Sequence, residues 1–189
     1  MKTILDKIEF HYTYLIMAVG LVLTGHFINL IIFTSLILVH EMGHVSASLL
    51  FGYKIDKVII YPYGGITKIN KLINTKIEKD LVVAIAGILF QSIYFFLILI
   101  LSEKAMIREY TFNLFLMYHK SILFFNLLPI IPLDGAKIVN LIISKYLNFN
   151  LANNFTVVIS LLAVIIFLIS NTYQNNYSMI MVLGVLFQN

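Results

Sequence analysis

Five consecutive residues, His40-Glu41-Met42-Gly43-His44, form the most chemically informative pattern in the sequence. On a helix, His40 and His44 lie one turn apart on the same face, where two imidazoles can bind one Zn²⁺ ion. Glu41 can act as the general base for a water that the metal activates. The alternative is a chance match whose histidines are satisfied by ordinary hydrogen bonds. The pattern lies in an apolar run, residues 27–51, and ionisable groups at membrane depth usually mark functional sites, which favours metal binding.

The overall composition is typical of an integral membrane protein. Of the 189 residues, 60% are hydrophobic and only 12% are charged, whereas soluble domains are about 25% charged. Cysteine is absent, so a disulfide framework and a thiolate metal site are excluded, and any metal must be bound by His, Asp or Glu. The net charge of +4 and the pI of about 9.2 indicate lysine-rich cytoplasmic loops and not nucleic-acid binding.

The hydropathy pattern predicts an all-α polytopic membrane protein with about six transmembrane helices, organised as a single domain over residues 1–189. The first apolar run resembles a signal peptide, but no small-residue cleavage site follows it, so we expect it to be retained as a span. The fourth span ends in the segment 126–135. The predicted spans cover residues 12–23, 27–51, 81–101, about 110–126, 155–169 and 177–187.

A polar segment of about thirty residues, 52–80, separates the second and third spans and holds six lysines. Lysine-rich loops lie on the cytoplasmic side of a membrane. The distribution of the other lysines then places both termini on the cytoplasmic side as well. We therefore expect a multi-pass protein of a bacterial-type cell membrane.

Within this segment, residues 58–61 and 66–69 are β-prone, and the residues between them suit a tight turn. The sequence thus predicts a small β-hairpin between the second and third spans. The hairpin could be a connector that only packs on the bilayer, or its edge could pair with an extended substrate. The second interpretation makes three turn residues candidates for substrate binding: Pro62, Gly64 and Gly65.

Asp134 is the candidate for a third metal ligand. Pro129 and Pro132 break the fourth span just before it, and broken backbone at membrane depth is tolerated where it is buried in protein or lines a wet cavity. A catalytic zinc ion typically has three protein ligands and one water. The alternative is a surface aspartate that caps the helix starting near Ala136. His26, in a loop, is a weaker candidate because such histidines are more often solvated.

Two amide side chains are further candidates. Gln91 is the one strongly polar residue of the third span, and Asn126 lies near the end of the fourth span. Either amide could stabilise an oxyanion or hold an extended substrate. A lone Gln in a span is also often no more than an interhelical hydrogen bond.

Two motifs together resemble the site-2 family of intramembrane zinc metalloproteases. They are the His-Glu-x-Gly-His motif of residues 40–44 and the Asn-x-x-Pro-x-x-x-x-Asp-Gly pattern of residues 126–135. The resemblance covers almost the whole chain. Three further stretches are similar to the sporulation stage IV branch, which processes a pro-sigma factor: Leu23-Thr24-Gly25-His26, Tyr61-Pro62-Tyr63-Gly64-Gly65 and residues 121–129.

The resemblance implies that His40, His44 and Asp134 bind one Zn²⁺ ion per chain and that Glu41 is the catalytic base. It also implies that the substrate is a membrane-associated proprotein, such as a pro-sigma factor in sporulation. Inhibitory membrane-protein partners would restrain the enzyme until a signal arrives. Two other classes stay open: a metal-handling transporter or sensor, which would not need Glu41, and an inactive homologue that binds substrates without cleaving them.

The sequence departs from the family pattern in three places. The Ala-Gly-Pro-x-x-Asn of the third span reads Ala86-Gly87-Ile88-Leu89-Phe90-Gln91, and the Asp-Gly-Gly reads Asp134-Gly135-Ala136. We also expect the C-terminal CBS domain of the branch to be missing. The first two departures leave the predicted metal ligands intact but affect how a substrate would be positioned, and the third would remove control by nucleotides.

Overall fold

The computed structural model describes residues 5–70 and 75–172. A short 3-10 turn, Leu5–Lys7, precedes the first strand. The strands are β1 (Ile8–Phe10), β2 (Lys54–Tyr61) and β3 (Gly64–Asn70). The helices are α1 (Tyr12–Leu23), α2 (Phe27–Leu50), α3 (Ile77–Glu103), α4 (Glu109–Leu127), α5 (Asp134–Ile143) and α6 (Phe149–Thr172).

Three of the described helices, α2, α3 and α6, are long and apolar enough to cross a membrane, and α1 is a shorter apolar helix. The predicted architecture, a helical multi-pass protein with a hairpin between the second and third spans, is confirmed. The predicted sixth span lies outside the described residues, so the number of six spans stays a prediction. The helix α3 starts four residues before the predicted span, with acidic Glu78 and Asp80 in its first turn, where the helix dipole favours negative charge.

The predicted hairpin is formed by β2 and β3, which pair antiparallel, with Val58 opposite Thr67. Its turn consists of Pro62 and Tyr63, and the sheet continues on the other side of β2 with β1, which runs parallel to it. Strand β1 was not predicted, because three residues are too few to show an alternating pattern. Among the described strands, β3 forms one edge of the sheet, and β1 forms the other.

The helix α2 lies at the centre of the molecule, against α3, α4 and the sheet. Its residues Leu36, Ile37 and Val45 are fully buried and join the core that Val58 and Ile60 of β2 complete. Only about a quarter of the most apolar window of α3 or α6 is buried within the protein. These outer helices therefore present apolar faces to lipid, while α2 presents its second half to the other helices and to the sheet.

Candidate metal centre

Three buried side chains from two helices converge on one point. His40 and His44 extend from the second half of α2, and Asp134 is the first residue of α5. The Nε2 atoms of His40 and His44 each lie 2.9 Å from Asp134 Oδ2, and they lie 3.1 Å from one another. All three residues are at most 5% exposed. These are the three ligands that the sequence predicted, and the fold brings Asp134 to His44 across 90 residues of chain.

The hydrogen bonds behind the two rings determine which nitrogens face this point. His44 Nδ1 lies 2.8 Å from the carbonyl oxygen of Val83, which can only accept, so His44 Nδ1 carries the hydrogen. His40 Nδ1 in turn lies 3.1 Å from Gln91 Oε1. The two Nε2 lone pairs and a carboxylate oxygen then face one another, and a cation satisfies all three at once.

This donor set fits zinc. A tetrahedral site with bonds of 2.0–2.1 Å has ligand atoms about 3.3 Å apart, and the spacings of 2.9–3.1 Å observed here are only a few tenths of an ångström shorter. Two imidazoles and one carboxylate are also a ligand set of catalytic zinc sites, which keep a fourth position for water. The residues present can therefore hold Zn²⁺ by His40, His44 and Asp134.

The backbone around Asp134 turns its carboxylate toward α2. The segment between α4 and α5 contains both prolines, and the Ile131 N–H donates to Ser160 Oγ of α6 at 3.0 Å. The N-cap of α5 is Leu133, with no side-chain capping bond, so the alternative in which Asp134 caps this helix does not hold. The Lys137 ammonium donates to Asp134 Oδ1 at 2.9 Å, which leaves Oδ2 for the histidines.

Glu41 is covered by the hairpin. Its carboxylate is buried, and Oε2 accepts a hydrogen bond of 2.6 Å from the Thr67 hydroxyl of β3. The backbone of Gly65 lies against the same carboxylate: a Cβ at this position would come closer than 3.0 Å to Glu41 Cδ and Oε1. Because side chains alternate along a strand, Gly65, Thr67 and Ile69 share the face toward α2.

A cavity of about 700 Å³ opens beside the centre. Its wall includes His44 and Asp134, the face of β3 at Thr67 and Ile69, the segment 131–133, and polar side chains of α5 and α6. This volume falls in the range of ligand-binding clefts. The centre is therefore reached from a cleft between β3 and α5.

Asp80, at the start of α3, belongs to the wall of the same cavity. The Tyr53 hydroxyl donates to Asp80 Oδ1 at 3.0 Å. Burial, followed by this hydrogen bond, raises the pKa of Tyr53 above its ordinary value. Tyr53 therefore stays a neutral donor at physiological pH and ties the end of α2 to the start of α3.

The close approach of α3 to α2 depends on Gly87. A Cβ at Gly87 would come closer than 3.0 Å to the Nε2 atoms of both His40 and His44. A side chain here would displace the two rings. The Ala-Gly pair of the third span is thus part of the wall against which the histidines pack. The departure from the family pattern comes at the residue after this pair, Ile88.

The other sequence candidates lie away from the convergence point. Gln91 is fully buried on the Nδ1 side of His40, opposite Asp134, where its side chain contacts the ring. Pro62 is in the hairpin turn, and Asn126 lies in the last turn of α4, half-buried. His26 is exposed and bonds to Thr24 Oγ1 at 3.0 Å. The predicted substrate-binding or oxyanion roles stay predictions for all five residues: Pro62, Gly64, Gly65, Gln91 and Asn126.

Two side chains that support the centre, Thr67 and Lys137, were not predicted from the sequence. Thr67 contacts Glu41 although the two residues are 26 positions apart in the sequence, and no local pattern predicts such a contact. Lys137 had a signal, since it lies three residues after Asp134 on a helix, where opposite charges meet.

Comparisons with known proteins agree with this geometry. The profile of peptidase family M50 matches residues 28–112, which include His40, Glu41 and His44. Stage IV sporulation protein FB of Bacillus subtilis is 38% identical over 156 residues, which is 82% of this chain and 54% of that protein. A zinc metalloprotease of Methanocaldococcus jannaschii is 32% identical over 151 residues, 73% of this chain and 43% of that protein. The chain thus spans about half the length of the curated relatives it matches.

The similarity extends to the three-dimensional structure. The site-2 protease from Methanocaldococcus jannaschii superposes with a TM-score of 0.71 and 27% sequence identity, over 95% of this chain and 86% of that one. The sequence motifs, the curated relatives and the fold all point to one group of proteins. The chain belongs to the site-2 protease family, within peptidase family M50.

Proposed function

We propose that this chain is a zinc-dependent intramembrane endopeptidase that cleaves a membrane-associated proprotein. The observation that carries the proposal is the arrangement of α2. The ligand pair His40 and His44 and the carboxylate of Glu41 come from one turn of a membrane-spanning helix, and Asp134 completes the donor set. A cavity of about 700 Å³ leads to this group.

Zinc at this site supplies a Lewis acid that activates a water molecule and polarises the scissile carbonyl. Glu41 accepts the proton of the attacking water and returns it to the leaving amine. Thr67 donates to Glu41 Oε2, which orients the carboxylate and leaves Oε1 as the basic atom. His40, His44 and Asp134 keep their positions throughout, because each has a hydrogen bond on the side away from the centre.

The substrate is proposed to bind as an extended strand along β3. A peptide bond inside a helix is shielded by its own hydrogen bonds, so a membrane-spanning substrate must unwind before cleavage. The strand β3 is an edge of the described sheet, and its Thr67 and Ile69 line the cavity. Edge pairing would replace the lost hydrogen bonds of the substrate backbone next to the metal centre.

The likeness to Stage IV sporulation protein FB supports a finer proposal. The substrate is a proprotein such as a pro-sigma factor, and partner membrane proteins inhibit the enzyme until a signal arrives. The membrane is a bacterial-type cell membrane, with both termini and the lysine-rich loop on the cytoplasmic side. A single membrane domain with one Zn²⁺ ion carries out the reaction. Nucleic acid is not among the proposed partners.

The contact between Thr67 and Glu41 also weighs against the two other classes. A transporter or sensor of metal ions uses ligands but has no need for a buried carboxylate held beside them. An inactive homologue would not need to keep the base. The hydrogen bond of 2.6 Å, which orients Glu41, therefore favours a role of this carboxylate as the general base of a hydrolase.

The test is co-expression of the chain with candidate single-span proproteins, comparing wild type with Glu41→Gln. The variant keeps the size of the side chain and the three metal ligands but removes the proton acceptor. We expect stoichiometric zinc in the purified variant and at least a 100-fold loss of cleavage, since general bases contribute about 10²–10⁴-fold. Substantial cleavage by the purified Glu41→Gln protein would overturn the proposed mechanism.

A further inference from the structure

Gln91, near the middle of α3, is a buried amide that the mechanism does not use. Its side chain is fully buried in a helix that is long and apolar enough to span a membrane, where an unpaired amide is costly. Both halves of the amide have partners: Oε1 lies 3.1 Å from His40 Nδ1, and Nε2 lies 3.1 Å from the carbonyl oxygen of His119. Gln91 thus bridges a metal ligand on α2 to the backbone of α4.

The carbonyl of His119 determines which way the amide points. A carbonyl oxygen only accepts, so Gln91 must present Nε2 to it, and the second N–H of this group faces His119 Nδ1 at 3.4 Å. Gln91 Oε1 must then face His40. Since Oε1 also only accepts, His40 Nδ1 has to donate, and the lone pair of His40 remains on Nε2, 2.9 Å from Asp134 Oδ2.

The anchor at His119 is held in place by aromatic packing. Its ring is stacked on Phe95 of α3, with centroids 4.7 Å apart and planes within 16°. On its own helix it lies nearly parallel to Phe115 at 6.1 Å. His119 is itself only 6% exposed. The carbonyl that orients Gln91 therefore belongs to a packed turn of α4 and not to a mobile segment.

We propose that Gln91 is a positioning residue that selects the metal-binding tautomer of His40, with the His119 carbonyl as its anchor, and thereby sets the zinc affinity of the centre. The proposal rests on the zinc site of the proposed function. His44 receives the equivalent support from a main-chain carbonyl, that of Val83. Gln91 is consequently the support that a change of side chain can remove, and such outer partners typically alter metal affinity by about 10–100-fold.

The experiment measures zinc affinity of the full chain in detergent by competition with a chromogenic chelator. Gln91→Leu removes the acceptor at similar size, and we expect its zinc affinity to fall about 10–100-fold. Gln91→Glu keeps an acceptor oxygen toward His40, and we expect it to retain most of the wild-type affinity. Ser92→Ala is the matched control, because among the described residues the Ser92 hydroxyl bonds to the Ile88 carbonyl of its own helix and not to the metal centre. The zinc affinity of this variant should not change.

A purely structural role for Gln91 predicts the opposite order, because Leu suits a membrane helix better than Glu. A Gln91→Leu affinity equal to or above that of Gln91→Glu would therefore overturn the proposal. Gln91→Met, which also lacks an acceptor oxygen, replaces the Leu variant if that protein does not fold. The visible absorption of bound Co²⁺ is the second measurement, and it should change in the Leu variant but not in the Glu variant.

The wild-type measurement separates this proposal from the proposed function. Wild-type zinc binding together with an unchanged Gln91→Leu affinity overturns the role of Gln91 alone. A wild-type chain that binds no zinc overturns the metalloprotease itself, and the role of Gln91 with it.

Discussion

At the scale of single residues, every donor of the metal centre has a partner behind it. Val83 and Gln91 face the Nδ1 atoms of the two histidines, and Lys137 faces Asp134 Oδ1. Buried polar groups need such partners, because an unpaired group in a low-dielectric interior is costly. The same bonds orient the three donor atoms toward one point, so the groups that stabilise the fold here also define the site.

Asp134 is the ligand that sequence spacing cannot certify, and Asp134→Asn tests it. A neutral amide is a poor ligand for a dication, so we expect zinc affinity to fall by more than the roughly 10–100-fold of an outer partner, with a parallel loss of cleavage. Asp56→Asn, an exposed acid of β2, is the matched control and should bind zinc normally. Full zinc occupancy and normal activity in Asp134→Asn would remove this residue from the site.

Thr67 is expected to act through Glu41, not through the metal. Thr67→Val keeps the shape of the side chain but removes the hydroxyl that donates to Glu41 Oε2. A hydrogen bond to a charged group is worth about 1.5–3 kcal/mol, so kcat should fall roughly tenfold or more at unchanged zinc content. Thr67→Ser restores the donor and should restore the rate. Wild-type kcat in the Val variant would show that the hydroxyl has no part in catalysis.

At the scale of elements, the hairpin brings residues of β3 next to Glu41 and next to the cavity, although they are distant from both α2 and α5 in the sequence. Alternation along β3 places Gly65, Thr67 and Ile69 toward α2, and Thr67 and Ile69 also line the cavity, while β3 is an edge strand among the described strands. The same strand therefore contacts Glu41, the proposed base, and we propose that its outer edge offers backbone groups to a substrate. A connector that merely packed on the bilayer would not need the contact between Thr67 and Glu41.

Cross-linking tests whether a substrate pairs with β3. The chain has no cysteine, so Lys68→Cys in β3 and Glu9→Cys in β1 each introduce a single thiol on opposite edges of the sheet. In the Glu41→Gln background, which retains substrate, the thiol at position 68 should cross-link to cysteines at every second substrate residue. The thiol at position 9 is the control and should not. Equal cross-linking from both edges, or none with a period of two, would contradict strand pairing.

At the scale of the whole molecule, α3 is long enough to extend from one face of the membrane to the other. A helix of 27 residues is about 40 Å long, which exceeds the hydrocarbon thickness of about 30 Å. The start of α3 adjoins the lysine-rich loop, and its end lies at Ser102 and Glu103. The metal centre, which packs near the first half of α3, is thus placed toward the side of the hairpin.

Reporter fusions test this topology. Fusions at Asn74 and Asn150 should read cytoplasmic, and fusions at Ser102 and Gln174 should read external, because the lysines of the loop stay inside. Asn74 and Gln174 lie outside the described residues, whereas Ser102 is in the last turn of α3 and Asn150 is in the first turn of α6. An external signal at Asn150 would invert the protein and place the metal centre near the opposite face.

The local part of the site was determined by the sequence alone. His40, Glu41 and His44 lie within one turn of a helix, and the helical repeat places the two imidazoles on one face wherever that helix packs. The hairpin was equally local, since two β-prone runs and a turn are adjacent in the chain. Composition likewise determined the membrane class, because burying so much apolar surface in a soluble domain would leave too few polar residues for its exterior.

Only the tertiary structure decided which distant residues meet. From the sequence, Asp134 could equally have been a helix cap, because nothing local indicates the distance between Asp134 and α2. The structure shows that the segment after α4 turns the carboxylate toward α2. Thr67 and Gln91 reach Glu41 and His40 because of the register of β3 and the closeness of α3 at Gly87. Such contacts depend on how elements pack, and the periodicity of a single element carries no information about its neighbour.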